Sequence, residues 1–282
     1  MLPSGGDAYF SLNLTPQIRT VVGEIVNDLN PPKMDWKMAL EKTDQLYGAC
    51  KVGEEKDPVF YLAAGGRFPV AAIRFGLSHN DDWEHMELPK TGRLSKRGNR
   101  KGDSYWISRR TPIQVYLTRE SSMLVCTEDI RPMIELYRDR LYHRTSSLSA
   151  IIPAEVLEEM DISNMAVYFP SMSRSSLLSP PEVELPEGEV WMAAEGDGEG
   201  FALRGRFVLR DETAGAGFAR AVKLLLLYLL KRIEVEDLGA KLSKIRVDTE
   251  GKQIRVDGLT LSSDEMMSFV RRILSGEMVF LW

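Results

Sequence analysis

The sequence contains few residues of the kinds that cross-link a chain, bind metals or cross a membrane. Only Cys50 and Cys126 occur among 282 residues, which excludes a disulfide scaffold and a zinc ribbon and allows one bridge at most. No uninterrupted apolar run approaches the ~18 residues of a transmembrane helix. The 36 cations and 41 acids leave a net charge of −5, which argues against nucleic-acid binding. What remains is a globular chain, long enough for one large domain or two smaller ones.

The sequence also lacks the common motifs of catalysis. Neither an HExxH zinc motif nor a GxSxG nucleophile motif is present, and no cysteine pairs with a histidine in a catalytic context. His79 and His85 lie near the acidic residues of 81–84, a pattern that fits a solvated loop better than a metal site. We therefore expect a protein that is not an enzyme, with no catalytic residue, no metal and no cofactor.

Two stretches of the chain resemble each other. Residues 59–75 and 190–207 each contain a run ending in two alanines, a glycine turn and a second run. Aromatic and branched residues around a glycine turn are typical of a β-hairpin. Two later pairs of runs, within 113–125 and 245–256, predict further hairpins, and an amphipathic helix is expected after each.

The spacing of these hairpins favours an internal duplication. In both stretches, 37 residues separate the end of the first hairpin from the start of the second. We interpret the chain as two related α+β halves, 1–145 and 146–282. Two unrelated meanders that share common turn chemistry are the alternative.

Capping signals and periodic apolar residues predict the helices. A Thr-Pro pair opens a helix over 15–29, and a second helix is expected over 36–48. Ser262 and Glu265 have the spacing of a capping box at the start of the last helix. The predicted fold class is α+β, with antiparallel hairpins and packed amphipathic helices.

The helix expected over 214–234 has an unusual composition. Seven consecutive apolar residues, Leu224 to Leu230, are bracketed by cations, and on a helical wheel Leu224 and Leu227 fall inside the cationic stripe. The apolar face is therefore wider than packing on one sheet requires. This pattern fits an interfacial helix, with leucines at the acyl boundary and cations among the phosphates. A helix buried on most sides between the two halves is the alternative.

The candidate membrane contacts come from this helix and from one loop. The predicted lipid contacts are its apolar side chains: Phe218, Val222, Leu224, Leu225, Leu226, Leu227, Tyr228, Leu229 and Leu230. The predicted contacts for anionic lipid are cations of the helix and of the loop: Arg220, Lys223, Lys231, Arg232, Arg97, Arg100 and Lys101.

The basic loop over 90–110 has eight cations against one acid. It suits anionic lipid or an acidic protein partner, and a solvated surface loop is an equal alternative. The rival hypothesis for the whole protein is an interaction module that docks an acidic partner through this loop, with the Leu-rich helix as core.

Four segments together resemble a known family over nearly the whole chain. The opening PSGGDAYFSLNLTPQIRTVV, the AAGGRF and AAEGDGEGF hairpins, and AGAGFARAVKLLLLYLLKRI are similar to treponemal outer-membrane-associated lipoproteins whose amphipathic helices sense and enter membranes. The resemblance implies an α/β/α layered fold, an N-terminal lipid anchor, a periplasm-facing location on the outer membrane of a spirochaete, and the ability to perturb or permeabilise bilayers. The sequence has no lipobox cysteine, so the anchor is expected only if a leader was removed.

Overall fold

The computed structural model describes residues 2–28, 40–53, 56–88, 104–118, 121–143, 152–173, 185–196 and 200–274. The strands are β1 (Ala8–Asn13), β2 (Thr43–Gly53), β3 (Lys56–Gly66), β4 (Trp83–Glu87), β5 (Ser104–Ser108), β6 (Gln114–Leu117), β7 (Ser122–Cys126), β8 (Met165–Phe169), β9 (Gly188–Gly196), β10 (Gly200–Leu209), β11 (Arg246–Glu250) and β12 (Gln253–Ser262). The helices are α1 (Pro16–Asp28), α2 (Val70–Ser78), α3 (Arg131–His143), α4 (Ala154–Ile162), α5 (Gly215–Arg232), α6 (Leu238–Lys244) and α7 (Ser263–Leu274), with a 3-10 helix at Glu212–Ala214. The chain is thus mixed α/β.

The described strands form one twelve-stranded antiparallel sheet. Their order is β11-β12-β10-β9-β8-β1-β2-β3-β7-β6-β5-β4. At its centre β1 pairs with β2 on one side and with β8 on the other. Strands from 43–126 therefore lie on one side of β1, and strands from 165–262 lie on the other. The division into two domains and their origin by duplication stay predictions.

Alternate residues of each strand point to opposite faces of the sheet. Helices α3 and α4 pack on the face that carries Tyr168 and Ala193, which we name the α4 face. Helices α1, α5 and α7 pack on the face that carries Val190 and Ala194, which we name the α5 face. Helix α2 packs on that same face, over Ala64. Both faces therefore bury apolar side chains.

Three predicted hairpins and the last helix are confirmed. Strands β6 and β7, β9 and β10, and β11 and β12 pair as adjacent antiparallel strands. Helices α3 and α7 follow the two hairpins that were expected to lead into helices. The capping box is present: Glu265 N donates to Ser262 Oγ at 3.2 Å, and Ser262 N donates to a Glu265 carboxylate oxygen at 2.7 Å. The backbone groups at this helix start are thus paired as its sequence predicts.

The hairpin predicted over 59–75 is wrong. Its first run is β3, but its second run forms α2. Pro69 directly precedes that helix, where its missing N–H costs no hydrogen bond. The apolar residues Val70, Ile73 and Leu77 then recur at helical spacing, and they pack on the sheet.

The helix predicted over 36–48 is wrong at its C-terminal end. Leu46, Tyr47 and Gly48 belong to β2, and residues 29–39 lie outside the described part of the chain. Gly48 does not end a helix. It lies opposite Phe10 of β1, and a Cβ at Gly48 would come within 2.0 Å of the Phe10 ring. The glycine is therefore explained by a ring packed across the strand pair.

The two glycines at the end of β3 have different surroundings, which makes them a matched pair for a stability test. A Cβ at Gly66 would lie 2.1 Å from the carbonyl oxygen of Lys42, whereas a Cβ at Gly65 would meet nothing within 4 Å. We expect Gly66→Ala to lower the free energy of unfolding by about 2 kcal/mol, because backbone must move. Gly65→Ala should be neutral or stabilise by up to ~1 kcal/mol. Urea unfolding measures the free energy of unfolding of both variants. Equal changes in the two would contradict the close approach of the Lys42 carbonyl at Gly66 alone.

Candidate functional site

Helix α5 attaches to the sheet along one line of side chains, which we name the α5 seam. The seam consists of Phe218, Val222, Leu226, Leu230 and Ile233. All of them except the half-buried Leu226 are buried. Its first part joins a cluster with β8, β9 and β12, its last part joins a cluster with α1 and α7, and Leu226 contacts both clusters. A seam spaced at three and four residues is the ordinary way for a helix to pack on a sheet.

The opposite side of α5 carries an exposed leucine among cations. Leu224 is 68% exposed. Arg220, Lys223 and Lys231 are exposed on the same side, and Leu227 is half-buried. We name these five residues the α5 surface. No acidic residue lies between 218 and 233, so the helix itself supplies no carboxylate beside this mixture of apolar area and positive charge.

The predicted lipid contacts therefore separate into two groups. Leu224 and Leu227 lie on the α5 surface, as the helical wheel predicts. Phe218, Val222 and Leu230 are buried in the protein, and Phe218 packs edge-on against Phe207 with ring centroids 5.6 Å apart. Lipid contact by the buried residues stays a prediction.

Several predicted residues fall outside the described part of the structure. They are the side chains of Leu225, Tyr228, Leu229 and Arg232 in α5, and the loop residues Arg97, Arg100 and Lys101.

The loop predicted over 90–110 is wrong at its C-terminal end, because residues 104–108 form β5. The two cations that follow this strand contact neighbouring groups. Arg110 forms an ion pair with Asp82 at 2.7 Å, and an Arg109 guanidinium nitrogen donates to the carbonyl oxygen of Asp81 at 3.2 Å. These two cations are therefore engaged within the protein, next to β4 and β5.

The described residues contain neither a cluster of metal-ligand side chains nor a membrane-spanning helix. Where the chain is described, no three His, Cys, Asp or Glu side chains converge as a metal site would require. None of the helices over these ranges combines the length and the apolar character needed to cross a membrane.

Two further exposed apolar residues are absent from the sequence-based candidates. Phe75 of α2 is 66% exposed and stacks on His79, with ring centroids 4.0 Å apart. Ile162, the last residue of α4 on the opposite face, is 64% exposed. Phe75 lies outside the Val70, Ile73 and Leu77 spacing, so a helical interpretation of that segment would have placed it on the outer side.

Comparison with known proteins gives a shared fold. No protein-family model matches the chain, and no curated protein matches it. Solved structures of the treponemal protein TP0453 do match it. Crystal form III is 18% identical with a TM-score of 0.65, over 95% of this chain and 95% of that chain. Crystal form I is 17% identical with a TM-score of 0.62, over 96% and 94%. At this identity the likeness establishes the fold alone.

The two cysteines are buried on opposite faces of the sheet. Cys50 of β2 packs on the α5 face, and Cys126 of β7 packs on the α4 face. Strand β3 lies between β2 and β7, so the two residues are about 9 Å apart or more, beyond the ~7 Å limit for a bridge. Both are free thiols. Burial raises the pKa of each to about 11.

We expect both thiols to be inert in the folded protein and dispensable for function. At pH 8 a thiol with a pKa of about 11 is almost wholly protonated, and the thiolate is the reactive form. A chromogenic thiol reagent should therefore react with neither cysteine in buffer and with both in denaturant. Rapid reaction of one equivalent in buffer would contradict this expectation.

Proposed function

We propose that the protein is a non-enzymatic, membrane-associated lipid-binding protein that docks on anionic lipid through the α5 surface. The observation that carries the proposal is the 68% exposure of Leu224 among Arg220, Lys223 and Lys231. A single exposed leucine is common on protein surfaces. Here the leucine stands on a helix without acids, and this combination favours a lipid interface.

The magnitudes are those of reversible docking. Burying one leucine contributes about 1.5–3 kcal/mol, and each cation near an anionic leaflet contributes about 1 kcal/mol. One leucine and three cations together give about 5 kcal/mol, which corresponds to weak association. Firm attachment therefore needs either further apolar contacts from the α5 seam or a lipid anchor.

The fuller proposal includes location and effect on the bilayer. We propose a lipid-anchored protein at the periplasmic face of a treponemal outer membrane, whose amphipathic helices insert into the leaflet and perturb or permeabilise it. It is supported by the fold shared with TP0453 and by the composition of α5. Docking of an acidic protein through the basic loop is the rival proposal.

The decisive variant is Leu224→Ser. Because Leu224 is largely exposed, we expect the free energy of unfolding to stay within about 0.5 kcal/mol of the parent value. Binding to vesicles of equal parts phosphatidylglycerol and phosphatidylcholine should weaken by roughly 10- to 100-fold, since one leucine no longer enters the acyl boundary. Co-sedimentation at several lipid concentrations measures the partition coefficient.

Leu230→Ser is the matched control, because Leu230 is 2% exposed on the same helix. That change should destabilise the fold by about 2–5 kcal/mol. A folded Leu224→Ser that binds vesicles like the parent would remove the basis of the proposal. Vesicle binding that is the same in Leu224→Ser and in the parent, and that is lost in high salt, would instead favour docking through charge, as the rival proposal requires.

A further inference from the structure

One buried carboxylate joins the end of α5 to the two helices that follow it. Glu265 of α7 is 8% exposed. It accepts hydrogen bonds from Ser262 N at 2.7 Å and from Glu236 N at 3.0 Å, and it forms an ion pair with Lys241 of α6. The backbone of segment 233–237, which connects α5 to α6, is therefore hydrogen-bonded to a side chain of α7.

The connecting segment itself is conformationally strained. Glu234 and Asp237 have φ angles of 55° and 51°, in the left-handed region that residues other than glycine rarely adopt. Such residues persist only where neighbouring contacts hold them. The hydrogen bond from Glu236 N to Glu265 lies between the two strained positions.

The charge at this point is balanced within the protein. Burial of Glu265 opposes its ionisation, but Lys241 and the N–H groups of Ser262 and Glu236 outweigh burial and lower the pKa of the carboxyl. Glu265 is thus ionised near neutral pH, and the Lys241 side chain is only 18% exposed. Removing one partner of a buried, charge-assisted contact of this kind is strongly destabilising, because the other charge is left buried without a partner.

The same contact supports the C-terminal half of the α5 seam. Leu230 and Ile233 pack in one cluster with Met266 and Met267, which directly follow Glu265 on α7. Loss of the carboxylate would free the 233–237 segment to relax and would loosen α7 against the last turn of α5. The N-terminal half of the seam belongs to a different cluster, so it is not affected directly.

We propose that Glu265 is a latch that sets how readily the C-terminal half of α5 separates from the sheet, and thereby how readily seam residues become available to lipid. The lipid part rests on the proposed function of the α5 surface. The latch itself is a property of the fold, and it is measurable without lipid.

Hydrogen exchange of the full chain tests the latch. In Glu265→Gln, which keeps an acceptor but loses the charge, we expect amides of 226–244 to exchange about tenfold faster, with β6, β7 and α3 unchanged. Lys241→Met should act in the same direction. Glu250→Gln is the control, because its ion pair with Arg255 at 3.8 Å is exposed. Unchanged exchange in Glu265→Gln, or a uniform increase over the whole chain, would overturn the latch.

Vesicle binding tests the consequence for lipid. On vesicles of equal parts phosphatidylglycerol and phosphatidylcholine, Glu265→Gln should bind more tightly than the parent by about tenfold, in parallel with its faster exchange. Local opening without tighter binding would overturn the link to lipid. A failure of Leu224→Ser to alter binding would instead count against the proposed function, and it would leave the exchange result intact.

Discussion

The pairing of β1 with β8 is the constraint on which the arrangement of the molecule depends. Without it, the strands of 43–126 and those of 165–262 would end at separate edges, each needing protection from further pairing. With it, all described strands share one hydrogen-bonded plane. The helices then pack on one face or the other of the same sheet. Because alternate residues of a strand point to opposite faces, the position of a residue in its strand determines which helices its side chain contacts.

A sheet covers only one side of a helix, and this limit explains the α5 surface. The apolar perimeter of α5 is wider than the stripe that its seam occupies. With Phe218, Val222, Leu226 and Leu230 placed on the sheet, Leu224 lies on the side of the helix that faces away from it. Leu224 is then left among cations, whose hydration keeps the surface in water. The exposed leucine is thus a geometric consequence of a helix with more apolar side chains than one contact can bury.

The parts of the fold that were predictable from sequence are those with local causes. The capping box at Ser262 and Glu265 and the hairpins around 113–125 and 245–256 depend on neighbours in sequence, and they are present. The failures depend on distant contacts. Gly48 is small because the Phe10 ring covers it. The run after Pro69 has residues that suit either strand or helix, and as a helix it packs Leu77 against the sheet.

The candidate site was predictable only in part, for a related reason. A helical wheel places Leu224 and Leu227 among the cations, which the structure confirms. It does not distinguish seam leucines from surface leucines when the apolar face is wide, because their hydrophobicity is the same. Only the position of the sheet separates Leu230 from Leu224. Phe75 was missed because its segment was assigned to a strand.

Under the proposed function, the same seam side chains can be buried either against the sheet or among lipid acyl chains. Acyl chains are about as apolar as the protein core, so moving Leu230 or Ile233 from the sheet to lipid changes its solvation little. The polar attachments at the helix ends are different, because a buried carboxylate that loses its partners gains no equivalent partner in hydrocarbon. Under the proposed function, polar contacts at the end of α5, rather than its leucines, would therefore set the free energy needed to separate this helix from the sheet. Glu265 makes its polar contacts where the seam meets α7, so under the proposed function the energetic barrier to lipid insertion would lie at that end of the helix.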